Sequence, residues 1–570
     1  MWGTNIVTHS FSSKTSTVVL IVIFLIGLFV RFVNLSNIPL GMSQDETAIG
    51  YNALSINDSG KDEHGITMPL YFRSFGDYKL PVYIYITALS EKLFGVNTFA
   101  VRFPSAFFGS LSILVMFFLV YALSKNKGLS LVSAAFLCIT PWHILFSRSS
   151  FEVNVALFFS MLGMLMFVTA MTGKKQLLFL LIASFSFMLS FYSYNVTRLL
   201  VPLLIAMLAT YYRHEVKKLG VLSIAIVGVV YLLLLIPFFL TFFSKEGASS
   251  ATQALIFGSN QIAQTIEFRG NVNTLPHVIQ IIFFNKWVLT AWDYINNIVN
   301  YFSTQFFFVS GSLHGNQGIG NYGTLHLFEF PLLLVGVYYF IKSNTKEIMP
   351  IFIWGVIALL VASLSFEVPH ATRGYFLLFP LTVFSAFGLV KAWDLLKKQK
   401  NVVKNMSFMI GFLFLTYSLI FYFSSYFVRF PIVYAKAWRQ QDQTLSDYLM
   451  MHKDNYDKVV IDSNSNFVYT SFLFFEKIPS ETYRKSVIYQ NENKIGYSMV
   501  EKFDKFEFKN VDWAKNSDAG KILYVVGDKN TPTNKKLIKT FTYKKHAVAF
   551  SSDATIMQYP VEEVAYRLYE

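Results

Sequence analysis

Thr17-Val18-Val19-Leu20-Ile21-Val22-Ile23-Phe24-Leu25-Ile26-Gly27-Leu28-Phe29-Val30-Arg31-Phe32-Val33 is an apolar run with a single charge, long enough to enter a bilayer as a helix. It is too long and uninterrupted, with no small-residue cleavage site after it, for a removed signal peptide, so it is read as a retained span. Comparable stretches recur at about 101–122, 129–147, 151–171, 176–193, 198–212, 219–243, 327–341, 348–364, 373–391 and 406–427, which makes eleven. Composition agrees: of 570 residues 54% are hydrophobic, 18% aromatic and only 14% charged, where a soluble chain carries about 25% charged residues. The 60 Phe and 32 Tyr against 30 Gly and 16 Pro exclude a disordered or collagen-like chain. A single Cys builds no intrachain disulfide, Cys-rich zinc site or iron–sulfur cluster.

The loops supply orientation. Lys125 and Lys127, Lys174 and Lys175, Arg213 with Lys217 and Lys218, Lys342 and Lys346, and the Lys391–Lys404 group fall in every second loop. Basic loops stay in the cytoplasm, so the N-terminus is expected inside and, with an odd span count, the C-terminus outside. Residues 1–428 then form a multi-spanning domain whose long outer loops are 34–100 and 244–326. Residues 429–570 form a small extracytoplasmic α/β domain, with strands at Lys458–Ile461 and Lys521–Val526 and helices at 434–451 and 561–569. The net charge of +14 is shared among cytoplasmic loops, a Lys-rich outer surface that includes Lys535-Lys536 and Lys544-Lys545 and reads as a solvated face near anionic lipid, and a few arginines at outward helix ends. No nucleic-acid reading motif is present.

Within the first outer loop, Gly41-Met42-Ser43-Gln44-Asp45-Glu46-Thr47-Ala48 has capping-box spacing, with Ser43 as N-cap and Glu46 closing the cap. That accounts for Glu46 and leaves Asp45 in the first turn, where the helix dipole favours an ionised carboxylate able to accept a proton or orient a hydroxyl. Phe75-Gly76-Asp77-Tyr78-Lys79-Leu80-Pro81 precedes an apolar surface helix. Lys79 there can pair with a phosphate, with Asp77 or with lipid headgroups. Arg102, Arg148, Arg198 and Arg373 stand at outward helix ends, against the orientation rule, so each is either a lipid or carboxylate partner or a phosphate ligand. His64, His314, His326 and His370 also lie in outer segments, but no His-x-x-x-His helical pair occurs, which argues against a dedicated zinc site. Nor does the Gly-rich run 310–320 have the strand–turn–helix context of a nucleotide loop. It reads as a substrate-shaping lid.

The order of these pieces resembles the multi-spanning, GT-C-like glycosyltransferases that use a lipid-phosphate sugar donor, the family of protein O-mannosyltransferases and aminoarabinose transferases. The resembling residues are Asp45-Glu46, Tyr78-Lys79-Leu80-Pro81, Phe94-Gly95, Val101-Arg102-Phe103-Pro104-Ser105, Pro141-Trp142-His143 through Glu152, and Pro369-His370-Ala371-Thr372-Arg373. The resemblance implies transfer of a sugar from a polyprenyl-phosphate donor to an envelope lipid, glycan or protein hydroxyl at the outer face of the plasma or inner membrane. It makes Asp45 the acceptor base or positioning carboxylate and Glu46 its support. Lys79, Arg102, Arg148, Arg373 and His370 would hold the donor phosphate, while Asp77, Tyr78, Arg198 and His314 would shape the substrate. Relatives resembling the aminoarabinose enzyme often have Glu-Lys-Pro-Pro where this chain has Tyr78-Lys79-Leu80-Pro81, which favours a hexose or another sugar over aminoarabinose. No cofactor is required; a divalent cation holding the phosphate is left open. The alternative is a transporter or flippase for a lipid-linked saccharide, which would need charges along a path through the bilayer.

Overall fold

The computed structural model describes residues 13–75, 77–242, 256, 260–343, 345–462, 468–490, 499–513, 520–528, 530–532, 534–550 and 556–570. It is a multi-pass, α-helical membrane protein with fewer spans than hydropathy suggested. Among the described residues six helices are long and apolar enough to cross a bilayer: Lys14–Phe32, Thr98–Ser124, Glu152–Thr172, Val221–Thr241, Tyr375–Leu396 and Asn401–Val433. A seventh span arises if Lys127–Ile139 and Pro141–Ser147, bent by 59°, count as one. The expectation of about eleven is therefore corrected. Hydropathy registers apolar stretches but not where helices end. The segments at 176–193, 198–212, 327–341 and 348–364 fold as Gln176–Phe191, Thr197–Tyr211, Glu329–Ser343 and Met349–Ala362, helices of 14 to 16 residues. At 1.5 Å per residue these reach roughly 21–24 Å, short of about 30 Å of hydrocarbon.

The chain divides into two compact units, each assembled from separated stretches. The first takes Met1–Arg31, Phe107–Ser147 and Phe151–Ile420. In it Leu20, Ile113, Phe117, Leu131, Ala134 and Cys138 make an apolar cluster. The bend before Pro141 has a specific use. Proline has no N–H to give to the carbonyl four residues back, so Leu137 is left without its helical donor. Buried Arg31 fills the gap: Nη2 donates to Leu137 O at 3.1 Å and Nη1 to Cys138 O at 3.2 Å and Gly27 O at 3.0 Å. Its Nη2 also lies 2.6 Å from His143 Nδ1. Glu329–Ser343 and Leu378–Leu396 approach so closely that a Cβ on Gly336 would strike the Phe384 carbonyl, and one on Gly388 the Leu332 carbonyl. This small-residue contact lets two backbones meet where lipid gives apolar side chains little drive to associate.

The second unit takes Phe32–Ala106, Arg148–Ser150 and Phe421–Glu570. Its sheet corrects the expected small α/β domain. Seven strands run in the spatial order Ile488–Tyr489, Val500–Phe503, Phe506–Lys509, Lys458–Asp462, Ile522–Val526, Ile556–Tyr569, Leu537–Phe550. The central strand Lys458–Asp462 is parallel to Phe506–Lys509 and to Ile522–Val526, as its run of buried Val459, Val460 and Ile461 suits, and the other pairs are antiparallel. Residues 561–569, expected as a helix, belong to a 14-residue strand: Tyr566 and Leu568 are buried on one face in period-two alternation. The expected helix at 434–451 occurs as Gln440–His452. The side chains of Lys544 and Lys545 lie outside the described residues.

Local chemistry in the same unit sets up the first-loop elements. Gln44–Ser59 begins with the full capping box and ends at Gly60, whose φ of 69° is the left-handed conformation; such an N-cap contributes about 1 kcal/mol. A hairpin follows, Phe72–Ser74 against Asp77–Lys79. Leu80 then leads into Pro81–Phe94, which has Pro at its start where no N–H is needed. Buried Glu63 ties these parts together by accepting from Asn52 Nδ2, Ser74 Oγ and Tyr469 OH, each at 3.2 Å.

Glu91 on Pro81–Phe94 is 3% exposed, and neither carboxylate oxygen has a hydrogen-bond partner among the described residues. Burial, with Asp58 adding to it, pushes its carboxyl up to about 9. An acid that titrates higher in the folded chain than in the unfolded one costs stability as pH rises from about 4.5 toward that value. Glu91→Gln should therefore raise the melting temperature in detergent at pH 8, leave it nearly unchanged at pH 4.5, and flatten the profile between. Gly388→Val should lower stability by about 1–3 kcal/mol through overpacking, read as a fall in melting temperature at every pH.

Candidate active site

The first two turns of Gln44–Ser59 separate two adjacent carboxylates. Glu46 is 2% exposed. Its Oε1 accepts from Arg102 Nε at 2.9 Å and Ser150 N at 3.1 Å, and its Oε2 from Arg102 Nη2 at 3.0 Å and Ser43 N at 3.1 Å. Arg102 is equally committed: Nη1 donates to Leu35 O at 3.1 Å and Pro39 O at 2.9 Å, and Nη2 also to Gly41 O. All five guanidinium hydrogens are thus engaged, and the group stacks over Trp438 at 5.7 Å. Arg148 is buried in the same manner, giving Nη2 to Ile38 O at 3.0 Å and Nε to Tyr426 OH at 3.2 Å beneath the ring of Phe427. The two arginines thus hold the segment 34–41 by its carbonyls.

Asp45 takes the opposite course. Its side chain is 45% exposed, while that of its partner Lys79 is only 7% exposed. Lys79 Nζ donates to Asp45 Oδ1 at 2.7 Å and lies 5.6 Å from the centre of the Phe75 ring. The hairpin and the cap that starts the helix bring the two together. Among the described residues Asp45 Oδ2 has no partner. A carboxylate at a helix N-terminus, paired through one oxygen and open at the other, has an oxygen free to accept from a substrate hydroxyl. Tyr78 lies beside Arg73 at 5.9 Å. The side chain of Asp77 lies outside the described residues.

The other sequence candidates belong to the first unit. Arg198 stacks on Phe238 at 5.4 Å. His314 Nε2 meets Glu367 Oε1 at 2.7 Å, and His370 Nε2 is 4.0 Å from Glu367 Oε2. Burial, then the charge of Arg373 and the neighbouring His314, push His370 down to about 3, so its ring is neutral. Arg373 stacks on Phe366 at 5.0 Å, and its buried Nη1 has no hydrogen-bond partner among the described residues. Of the four histidines considered, His314 and His370 come together. His326 is buried against Tyr322 and Ile139 O, and His64 stacks on Tyr489. Sequence reasoning gave Glu367 no ligand role, although Glu367-Val368-Pro369-His370 places a carboxylate three residues before an imidazole. It had no signal for Trp438 and Tyr426, which lie far from their arginines in sequence.

Residues 79–240 match the model of a family described as dolichyl-phosphate-mannose-protein mannosyltransferase, which bears out the resemblance read from the motifs over that part of the chain. Asp45 and Glu46 lie outside the match. No curated protein matches. Among solved structures, the Archaeoglobus fulgidus oligosaccharyltransferase tethered to an acceptor peptide superposes with a TM-score of 0.50 at 15% identity, over 82% of this chain and 64% of that one. The same enzyme in complex with Zn and sulfate gives 0.50 at 15%, over 80% and 61%. ArnT from Cupriavidus metallidurans gives 0.48 at 12%, over 82% and 85%. The chain thus spans less than two thirds of the length of the archaeal enzyme, with which it shares the GT-C-like fold.

Breaking the Glu46–Arg102 pair should be costly, because the surviving partner is left buried and charged. Arg102→Met is expected to destabilise by about 3–5 kcal/mol. The double variant Glu46→Gln with Arg102→Met should recover part of this loss. A thermal unfolding cycle in detergent measures both.

Proposed function

We propose that the protein is an integral membrane glycosyltransferase that moves a sugar from a polyprenyl-phosphate-linked donor to a hydroxyl of an envelope lipid, glycan or protein. The observation that carries this is Asp45, one carboxylate oxygen fixed by Lys79 and the other open, at the N-terminus of a rigidly capped helix. The family match over 79–240 supports it. So does the shared fold with an archaeal enzyme whose structures hold an acceptor peptide and dolichol-phosphate.

In this reaction the acceptor oxygen forms a bond to the anomeric carbon as the bond from that carbon to the phosphate oxygen breaks. The acceptor proton passes to Asp45 Oδ2 and then to water. The departing lipid phosphate is an anion already, so the protein needs to stabilise charge more than to donate a proton. Lys79 is the cation we assign to the lipid phosphate; Arg373, whose buried Nη1 has no hydrogen-bond partner among the described residues, is a separate candidate for an anion. Glu46, Arg102 and Arg148 act by holding the segment before Asp45 in place. We place the reaction on the extracytoplasmic face: on a count of seven spans among the described residues, Lys125, Lys174, Lys175, Lys217, Lys218, Lys397 and Lys398 fall on one side, which we take as the cytoplasmic one, with the C-terminal sheet on the other.

The test is a reconstituted assay with a panel of polyprenyl-phosphate monosaccharides and envelope acceptors, following acceptor-dependent release of polyprenyl phosphate. Asp45→Asn should lower kcat by about 10²–10⁴ with donor affinity kept. Lys79→Met should weaken donor binding. Normal turnover by Asp45→Asn, or no transfer from any donor, would overturn the proposal.

A further inference from the structure

We infer that His314, Glu367 and His370 form a zinc-class divalent-cation site that joins the glycine-rich segment around 310–324 to the loop that follows Met349–Ala362. The three side chains each offer one ligand atom, and these atoms lie within 4.8 Å of one another. The inference stands apart from the sugar-transfer reading, since it concerns which ion these donors take.

The geometry is close to that of a bound ion. In a tetrahedral site with metal–ligand bonds of about 2.0–2.1 Å, neighbouring ligand atoms stand roughly 3.3 Å apart. The separations here, 2.7 Å from His314 Nε2 to Glu367 Oε1 and 4.0 Å from His370 Nε2 to Glu367 Oε2, bracket that value. Side-chain shifts of under about 1 Å would close the shell. The direct contact between His314 Nε2 and Glu367 Oε1 is what the ion would replace.

A second layer already orients the donors. His370 Nδ1 lies 2.9 Å from Thr372 Oγ1, so Nδ1–H can donate to the hydroxyl and leave the Nε2 lone pair facing Glu367. That is the way ligating imidazoles are usually fixed. The backbone N–H of His314 donates to Ser312 Oγ at 3.2 Å, holding the turn that presents its ring. Access is open as well: the His314 and Glu367 side chains are each 42% exposed, while His370 is nearly enclosed.

The donor set selects among ions. Two imidazoles and one carboxylate suit zinc and its transition-metal neighbours, whereas magnesium and calcium require mostly oxygen ligands. Three protein ligands leave a coordination position for an outside oxygen, which is the pattern of open rather than purely structural zinc sites.

The experiment uses the full chain in detergent, stripped with a chelator, titrated with zinc chloride against a chromogenic zinc indicator, then desalted and analysed for metal by mass spectrometry. One zinc ion per chain is expected, resistant to millimolar magnesium. Glu367→Gln and His370→Gln should each weaken zinc binding by at least roughly ten-fold, and Thr372→Val by about 10–100-fold. His64→Gln, outside the cluster, should bind as the parent does. Gel filtration and circular dichroism identify any variant that fails to fold; Glu367→Gln, nearly isosteric, is the decisive one. Zinc content equal in the parent and Glu367→Gln, absence of retained zinc in the parent, or displacement by magnesium would each overturn the inference. Because the readout is metal content, failure of the transfer assay leaves this result standing, and the reverse also holds.

Discussion

The Glu46–Arg102 pair is the constraint on which the first-loop structure depends. Removing a carboxylate and a guanidinium from water costs several kcal/mol for each ion, and their attraction offsets that only when the remaining hydrogen-bonding capacity is also met. Here it is met in full. Glu46 accepts from Arg102, Ser43 and Ser150, and Arg102 spends its other hydrogens on three carbonyls between Leu35 and Gly41. One ion pair thereby fixes the chain entering the helix, the helix cap, the start of Thr98–Ser124 and the short stretch at Ser150. The rotation of Gln44–Ser59 about its axis follows from this. Consecutive helical residues point about 100° apart, so once Glu46 is turned inward Asp45 must face elsewhere, and it faces solvent and Lys79. The division of labour between two neighbouring acids is a geometric result of which one closes the cap.

Much of this local order was legible because it rests on short-range rules. Ser43 and Glu46 at capping spacing, Asp45 in the first turn, Pro81 opening a surface helix, and the Val459–Ile461 and Ile522–Val526 strands all depend on residues within a few positions of one another. What was not legible depends on distance or on helix ends. The eleven expected spans fell to six or seven because window hydropathy is blind to a helix that stops after 14 to 16 residues. Ile556–Tyr569 was misread because near a chain end a few apolar residues fit a period of 3.6 as well as a period of 2, and its partner Leu537–Phe550 decides the matter. The partner of Arg102 was equally hidden: an arginine at a span end reads as a lipid or phosphate ligand, and its carboxylate proved to be 56 residues away in a cap that already seemed accounted for.

The arginines show why charge at a helix end is an ambiguous sign. Arg31, Arg102 and Arg148 are all fully buried, and each is answered largely by backbone carbonyls rather than by a carboxylate alone. Such carbonyls become available where a regular ladder stops: at the turn region 34–41 for Arg102 and Arg148, and at the end of Lys127–Ile139 for Arg31. A guanidinium suits that task because its five donors form a fixed planar fork, whereas an ammonium would leave several carbonyls unmet. Arg373 contrasts with Arg102. It is stacked on Phe366, yet one of its nitrogens is buried without an acceptor among the described residues, and a buried unpaired donor on a cation carries a cost of a few kcal/mol unless something outside the protein meets it. How many of an arginine's donors the protein itself answers, which no count of basic residues reveals, therefore says more about its part in the fold than its position at a helix end does.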